Sequence, residues 1–383
     1  MNPLLVQAVL KGAVLGIGLG SVLSWILKEK EMLDCSKEIT NFYNSEVALP
    51  EKMKSEMRDR RDANRERLKN GLGEDDPTPI GMWSQGSYAM HTMIQAEDNN
   101  FDIDDGVYFK KEDLTDAYGI EKGPYEAKEM VRDAVNHHGL KEEPEIKDNC
   151  VRVKYGKGYH VDIPVYRTVN YGEDNEYYEL ASANGWRNSD PRAVTQWFRD
   201  TVSEQSPDTT NGQQMRRIVR LLKDMVKTNS SANEETPSGF LISKLVSEEY
   251  EAHEGRDDEA LYYTMKNIRD RLNDSLEVAH PVVDEMLTTG AYDPAATVFK
   301  GQLDTALDKL DVIFGTEDAG EALEAWGDVF QEQNFFSNQA ASRAQQYDSD
   351  DIHANDDSPS SPSIWIKSEE VPPVDKQGGG QNA

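Results

Sequence analysis

The chain has 383 residues, enough for more than one core, and carries 71 Asp and Glu against 41 Lys and Arg, a formal net charge of -30. A field of that sign repels polyanions and excludes general binding of DNA or RNA, though not a small nucleotide held by a local cation cluster and bound metal. Its cysteines, Cys35 and Cys150, are too few for a four-cysteine zinc site and suit a reducing cytoplasm.

Leu4 to Leu27 is an apolar run with Lys11 inside it, and a helix of that length reaches about 36 Å, enough for a bilayer core. Gly12, Gly16 and Gly20 fall on one helical face and would let two such helices approach closely. Lys28 and Lys30 favour a cytoplasmic remainder. Two readings stay open for residues 1–31: an anchor holding a cytoplasmic catalytic domain at the inner membrane, or an extension upstream of a start at Met32. From Pro50 to Leu72 the density of Lys, Glu, Arg, Met and Ala predicts one long solvated helix.

Strands are expected at Phe101–Phe109, Val151–Tyr155 and Tyr159–Tyr166, the last two joined as a hairpin through Gly156, Lys157 and Gly158. After Asp190-Pro191 helical periodicity dominates, with a polar break from Asn229 to Pro237 and an acidic helical region from Leu261 to Phe336. The stretch from about Tyr347 onward is rich in Ser, Asp, Pro and Gly and predicts disorder. The expected class is α+β: residues 1–31 as the extension, a mixed-sheet catalytic lobe over 32–200, a helical lobe over 201–345 and a tail over 346–383.

In Phe101-Asp102-Ile103-Asp104 the strand period of two puts both carboxylates on one face and both apolar side chains on the other. Adjacent carboxylates repel unless a cation lies between them, and magnesium fits, since it also takes triphosphate oxygens. In Tyr159-His160-Val161-Asp162-Ile163-Pro164-Val165, the apolar face is Val161, Ile163 and Val165, so Asp162 points the other way. Beside the first strand it would complete a three-carboxylate cluster able to hold two metals about 3.5 to 4 Å apart. Upstream, in Gln85-Gly86-Ser87-Tyr88, the glycine lets backbone approach a phosphate, with backbone N–H groups and the Ser87 hydroxyl as ligands. Each aspartate alone is an ordinary solvated strand residue. Together, in this order, these elements form the polymerase-β-type nucleotidyltransferase pattern.

A further signal lies in the helical half. Arg216, Arg220, Lys223 and Lys227 share one helical face, and Ile218, Leu221, Leu222 and Met225 form the opposite stripe. An amphipathic surface helix explains any one of these cations equally well.

Several blocks resemble the cGAS/DncV-like nucleotidyltransferases over roughly residues 40 to 250. These are Trp83-Ser84-Gln85-Gly86-Ser87, Asp102-Ile103-Asp104-Asp105-Gly106, His160-Val161-Asp162-Ile163-Pro164-Val165-Tyr166, Asn188-Ser189-Asp190-Pro191 with Trp197-Phe198, and the helix around Arg217 to Lys223. The resemblance implies a polymerase-β-like lobe beside a helical lobe. It implies Asp102, Asp104 and Asp162 as catalytic ligands of two magnesium ions, with manganese as a substitute. Gln85, Gly86 and Ser87 would contact the triphosphate or donor nucleotide, Arg152 the acceptor, and Ser189 a base. Lys223 and Ser238, in Thr236-Pro237-Ser238-Gly239, would touch the triphosphate. Where the family pattern has an aromatic residue after the Gly-Ser, this chain has Met90, which weakens base stacking there. The match fades beyond about residue 250.

The implied activity is synthesis of a cyclic dinucleotide, cyclic GMP-AMP foremost, from ATP and GTP or other ribonucleoside triphosphates. The setting is bacterial anti-phage signalling (CBASS), in which the nucleotide activates a separate effector. The implied partner at the C-terminal Gly378-Gly379-Gly380-Gln381-Asn382-Ala383 is a ubiquitin-activating-like enzyme, against the plainer reading of a disordered end. Without a cysteine-rich insert or a basic surface, no DNA activator is expected. Rival readings are RNA tailing, which predicts a basic track the chain lacks, antibiotic modification, a cyclic oligonucleotide with other bases, and a membrane scaffold.

Overall fold

The alternating segments build an eight-stranded mixed sheet in a computed structural model that describes residues 31–354, apart from 96–100, 117 and 157. β1 (Gly81–Gln85) pairs antiparallel with β2 (Asp102–Lys110). β3 (Glu145–Ile146) and β4 (Val151–Lys154) precede β5 (His160–Ile163), and β4 and β5 form the expected hairpin. β5 and β6 (Val165–Val169) both run parallel to β2 in one register, with Asp104 opposite Asp162 and Tyr108 opposite Tyr166. They are in effect one strand interrupted at Pro164, which has no N–H to donate and whose carbonyl accepts from Val107 N at 2.9 Å. A second hairpin, β7 (Tyr177–Ser182) and β8 (Gly185–Asn188), extends the sheet beyond β6.

One face of the sheet is the apolar set of the sequence pattern. Ile103, Val107, Phe109, Val161, Ile163 and Val165 are buried there. They share a core with Met57 and Leu68 of helix α2 (Glu51–Gly71), which follows α1 (Ser36–Phe42), and with α4 (Pro124–Val135). The intervening α3 (Gly86–Met90) is a single short turn directly after β1.

The remaining helices form the second core. α5 (Pro191–Gln205) starts at Asp190, whose Oδ1 accepts from Ala193 N at 2.9 Å, with Pro191 at the first helical position where its missing N–H is harmless. α6 (Gln214–Thr228) buries Ile218, Leu221, Leu222 and Met225, each contributing roughly 1.5–3 kcal/mol. Around it lie α7 (Gly239–Glu249), α8 (Asp257–Asp274), α9 (Pro294–Leu310) and α10 (Ala319–Phe330). Ile39, Phe42, Tyr43 and Val47 join this core too, and the Phe42 ring lies 4.6 Å from Phe330 and 5.2 Å from Phe336. The first described helix therefore packs with the C-terminal half.

Residues through Ala341 make one compact unit and a second begins at Ser342. α11 (Gln333–Ala354) continues as helix past residue 346, where the composition predicts disorder; the tail from 355 lies outside the described residues. The apolar run at residues 4–27 also lies outside them, and among the described residues no helix is long and apolar enough to cross a membrane.

Candidate active site

The strand register decides where the acids stand. Asp104 and Asp162 are Cα partners across β2 and β5, and Asp102 sits two positions along on the same face. Two of the three turn to neighbours: Asp162 takes a bidentate pair from Arg152 at 2.8 and 2.7 Å, and Asp102 Oδ1 lies 2.8 Å from His160 Nδ1. Asp104 has no such partner among the described residues. Burial, then the Asp162 and Asp102 charges, push its carboxyl up to about 7. A divalent cation is the group that would relieve this repulsion, and three carboxylates on adjacent strands are the oxygen donors magnesium takes. In their present orientations no three acidic, His or Cys groups converge as a metal site among the described residues, so Asp162 would have to share its carboxylate between Arg152 and an ion.

Facing Asp104 is the turn from β1 into α3. Gly86 has φ +62, and a Cβ there would lie 2.3 Å from Asp104 Oδ2, so conformation and space both demand glycine. Gln85 Nε2 donates to the Tyr166 hydroxyl at 3.0 Å, while Gln85 Oε1 is buried without a partner among the described residues. Gln85, Gly86, Ser87, Asp104, Ser189 and Lys223 together line one open cleft of about 510 Å³. Met90 lines it as well. Burial lowers Lys223 to about 8, and its Nζ donates to Thr92 O at 2.7 Å. The arrangement offers acceptor groups, the Ser87 and Ser189 hydroxyls and the cations Lys223 and Arg187 around a space of nucleotide size.

Asp102, Asp162 and Arg152 stand beside Asp104 along the strands rather than among the residues lining that cleft. Ser238 is likewise not among the residues lining the cleft. Its Oγ accepts from Leu241 N at 3.1 Å as the N-cap of α7, while the adjoining Gly239 lines the cleft.

Other residues of the site carry little signal in the sequence. Arg187 on β8 meets Glu285 at 2.5 Å at the cleft, and Phe240 packs edge-on against His280, with ring centroids 5.3 Å apart. Asp105, next to Asp104, faces the opposite way and pairs with Arg65 of α2 at 2.5 and 2.6 Å. A second cleft of about 820 Å³ is lined by Lys54, Arg58, Arg61, Arg192, Arg199 and Arg220, with Trp83 under the Arg192 guanidinium at 4.3 Å. Lys54, Arg58, Arg61 and Arg65 have the same spacing as Arg216, Arg220, Lys223 and Lys227. That repeat is the signal by which the second cleft is found in the sequence.

Comparison with known proteins follows the same lines. Residues 80–166 match the family model described as the nucleotidyltransferase domain of the cyclic GMP-AMP synthase DncV-like proteins. A cyclic GMP-AMP synthase of Escherichia albertii is 29% identical over 234 residues, a match that takes in 59% of this chain and 49%, about half, of that relative. Among solved structures, Vibrio cholerae DncV in complex with a linear intermediate, 5' pppA(3',5')pG, superposes with a TM-score of 0.62 at 17% identity, covering 79% of this chain and 96% of that one. A point mutant of the same enzyme, in complex with ATP, GTP and 5MTHFGLU2, gives 0.62 at 17% identity, with 79% and 97% covered. Escherichia coli DncV bound to 3'-deoxy GTP gives 0.60 at 18% identity, with 78% and 98% covered. At these identities the structures speak for the fold.

Proposed function

We propose, from the premise that this chain is a cGAS/DncV-like nucleotidyltransferase, that it joins ribonucleoside triphosphates into a cyclic dinucleotide, with cyclic GMP-AMP the leading product. The observation that carries the reading is the single cleft shared by Gln85, Gly86, Ser87, Asp104, Ser189 and Lys223 beside the strand pair bearing Asp102 and Asp162.

In this reading Asp102, Asp104 and Asp162 hold two magnesium ions, which supply charge neutralisation at the attacking and departing oxygens. The chain's own residues do the rest. Gly86 lets the triphosphate approach the backbone, Ser87 donates to its terminal oxygens, and Lys223 exchanges the Thr92 carbonyl for phosphate. Ser189 lies against a base. The ribose hydroxyl oxygen of the acceptor bonds to the α-phosphorus of the donor as the bond to pyrophosphate breaks, and Asp162, oriented by Arg152, takes the hydroxyl proton. The linear product then turns in the cleft and closes by the same step.

The biological setting that follows is anti-phage signalling through a separate effector, with the C-terminal glycines available to a ubiquitin-activating-like partner and residues 4–27 to a membrane. The basic cleft supports a second small-molecule site for a polyanion, since six cations line it in a protein of net charge -30. One solved structure of this fold carries a third small molecule beside ATP and GTP.

The test is to incubate the purified chain with all four labelled ribonucleoside triphosphates and magnesium, beside an Asp102→Ala, Asp104→Ala double variant. Phosphatase-resistant products are then identified by mass spectrometry. A cyclic product lost in the variant supports the reading and names the bases; linear tails on added RNA, or transfer to an antibiotic alone, would replace it.

A further inference from the structure

Five cations converge on one short stretch of backbone. Arg199 donates to the carbonyl of Ala89 at 3.3 Å, Arg216 to Met90 at 3.1 Å, Arg220 to His91 at 2.5 Å, Lys223 to Thr92 at 2.7 Å and Lys227 to Gln95 at 3.1 Å. Four of them are the basic stripe of α6, so successive rungs of one helix hold carbonyls in chain order. None of the five forms an ion pair among the described residues, although the chain carries 71 carboxylates. Arg216 is even held below the usual guanidinium range by burial and by the charges of Arg220 and Arg199. Like charges gathered without counter-ions oppose folding unless the acceptors they share repay it.

The first of those acceptors, Ala89 and Met90, end α3, the helical turn that begins at Gly86 and Ser87; His91 caps it, and Thr92 and Gln95 follow. A helix end leaves its last carbonyls without intrahelical partners, and cations satisfy them well. The stretch is also tied back to the turn: Thr92 N donates to Ser87 O at 2.9 Å and His91 N to Tyr88 O at 3.2 Å, with His91 in the left-handed region at φ 57. The His91 carbonyl held by Arg220 shares a peptide plane with the Thr92 N–H, so fixing it fixes the bond to Ser87, and Ser87 adjoins the glycine whose missing Cβ makes room for Asp104.

We infer that the α6 cations Arg216 and Arg220, with Arg199 of α5, are positioning residues for nucleotidyl transfer, acting as a ladder that locks the Gly86–Ser87 turn against Asp104, while Lys227 holds only the stretch beyond it at Gln95. The inference rests on the proposed transfer reaction for its catalytic consequence, but not for its structural one. Lys223 is set apart because it lines the cleft; Arg216 and Lys227 line neither cleft.

The test uses the full chain with Arg216→Met, Arg216→Lys and Lys227→Met, read by amide hydrogen exchange of residues 86–95 and by kcat and KM for the triphosphates. Arg216→Met should speed exchange across 86–95 about tenfold or more, as expected for losing a charged hydrogen bond. It should lower kcat about tenfold with a smaller change in KM, because a displaced turn still binds but misaligns. Arg216→Lys should recover most of both, and Lys227→Met should act near Gln95 with little effect on kcat. Unchanged exchange in Arg216→Met, or a kcat that falls only with the folded fraction, would overturn the ladder. Should Arg216→Met not fold, Arg199→Met frees the Ala89 carbonyl and carries the same readouts. A wild-type chain that forms no nucleotide product defeats the transfer reading instead, while exchange still decides whether the ladder holds the turn.

Discussion

Helices α2 and α6 carry the same basic spacing and use it in opposite ways. In α6 the cations are drawn against backbone, because Ile218, Leu221, Leu222 and Met225 on the opposite side are buried and fix the helix's orientation. In α2 most positions are polar, and Met57, Asn64 and Leu68 are its buried residues. Its stripe faces an open cleft, where Lys54 and Arg61 meet the exposed carboxylates of Glu51 and Asp62, and the last rung, Arg65, is spent on the buried Asp105. The apolar side of a helix, more than its charged side, decides whether a cation becomes a structural donor or an available one.

The sharpest way to break this comparison is at the neighbours Asp104 and Asp105, since α2 supplies a cation to one and not to the other. Asp104→Asn should lower product formation about a thousandfold or more if the carboxylate holds metal, measured by single-turnover assay. It should also stabilise the metal-free protein. With its carboxyl raised from 3.8 to about 7, the folded state binds more protons than the unfolded between those values, so stability falls as pH rises through that window. The variant should lose this fall, gaining about 2–4 kcal/mol at pH 8 and nothing below pH 4. Equal melting temperatures of the two proteins at both pH values would count against an unpaired Asp104.

Arg65→Ala asks whether the last rung of α2 is as structural as those of α6. It leaves Asp105 buried and unpaired, and urea denaturation should register a loss of about 3 kcal/mol. Lys223→Met probes the opposite helix. Lys223 is lowered from 10.5 to about 8, so the unfolded state binds the extra proton between those values and wild-type stability should rise with pH there. The variant should lack that rise of about 2–3 kcal/mol, and bound triphosphate should flatten it in the wild type as well. Smallest in stability is Arg58→Ala, expected within about 0.5 kcal/mol of wild type. Its effect should appear in calorimetry as weaker binding of a polyanionic ligand by the basic cleft, and a large loss of stability there would mean the α2 stripe is structural after all.

How much of this is legible in sequence follows from periodicity. The acids are visible because Phe101, Ile103, Val161 and Ile163 mark the core face and leave Asp102, Asp104 and Asp162 on the other. The α6 stripe is visible for the same reason at helical period. The β7–β8 hairpin is not, because Tyr177-Tyr178-Glu179-Leu180 is exposed or half-buried on both faces and alternates weakly. Arg152 stands on the hairpin the glycines predict, but its grip on Asp162 depends on the register of that hairpin, Arg152 opposite Asp162, which the turn residues alone do not specify. Ser238 shows a limit of another kind: its place before a helix is readable, and the cap takes one acceptor position of a hydroxyl whose proton is left to donate.

The Pro164 interruption has a consequence for how this protein can vary. β5 and β6 keep one register with β2 on either side of the proline, so the acids at one end and the stacked Tyr108–Tyr166 pair, 4.5 Å apart, at the other are indexed by a single count of residues. Losing or gaining one residue between Asp162 and Tyr166 would turn one end of the strand inside out, burying carboxylate or exposing valine. Many side chains along this strand can be exchanged for others of their kind. Its length cannot be edited at all, so insertions and deletions among its descendants should be confined to the loops that flank it.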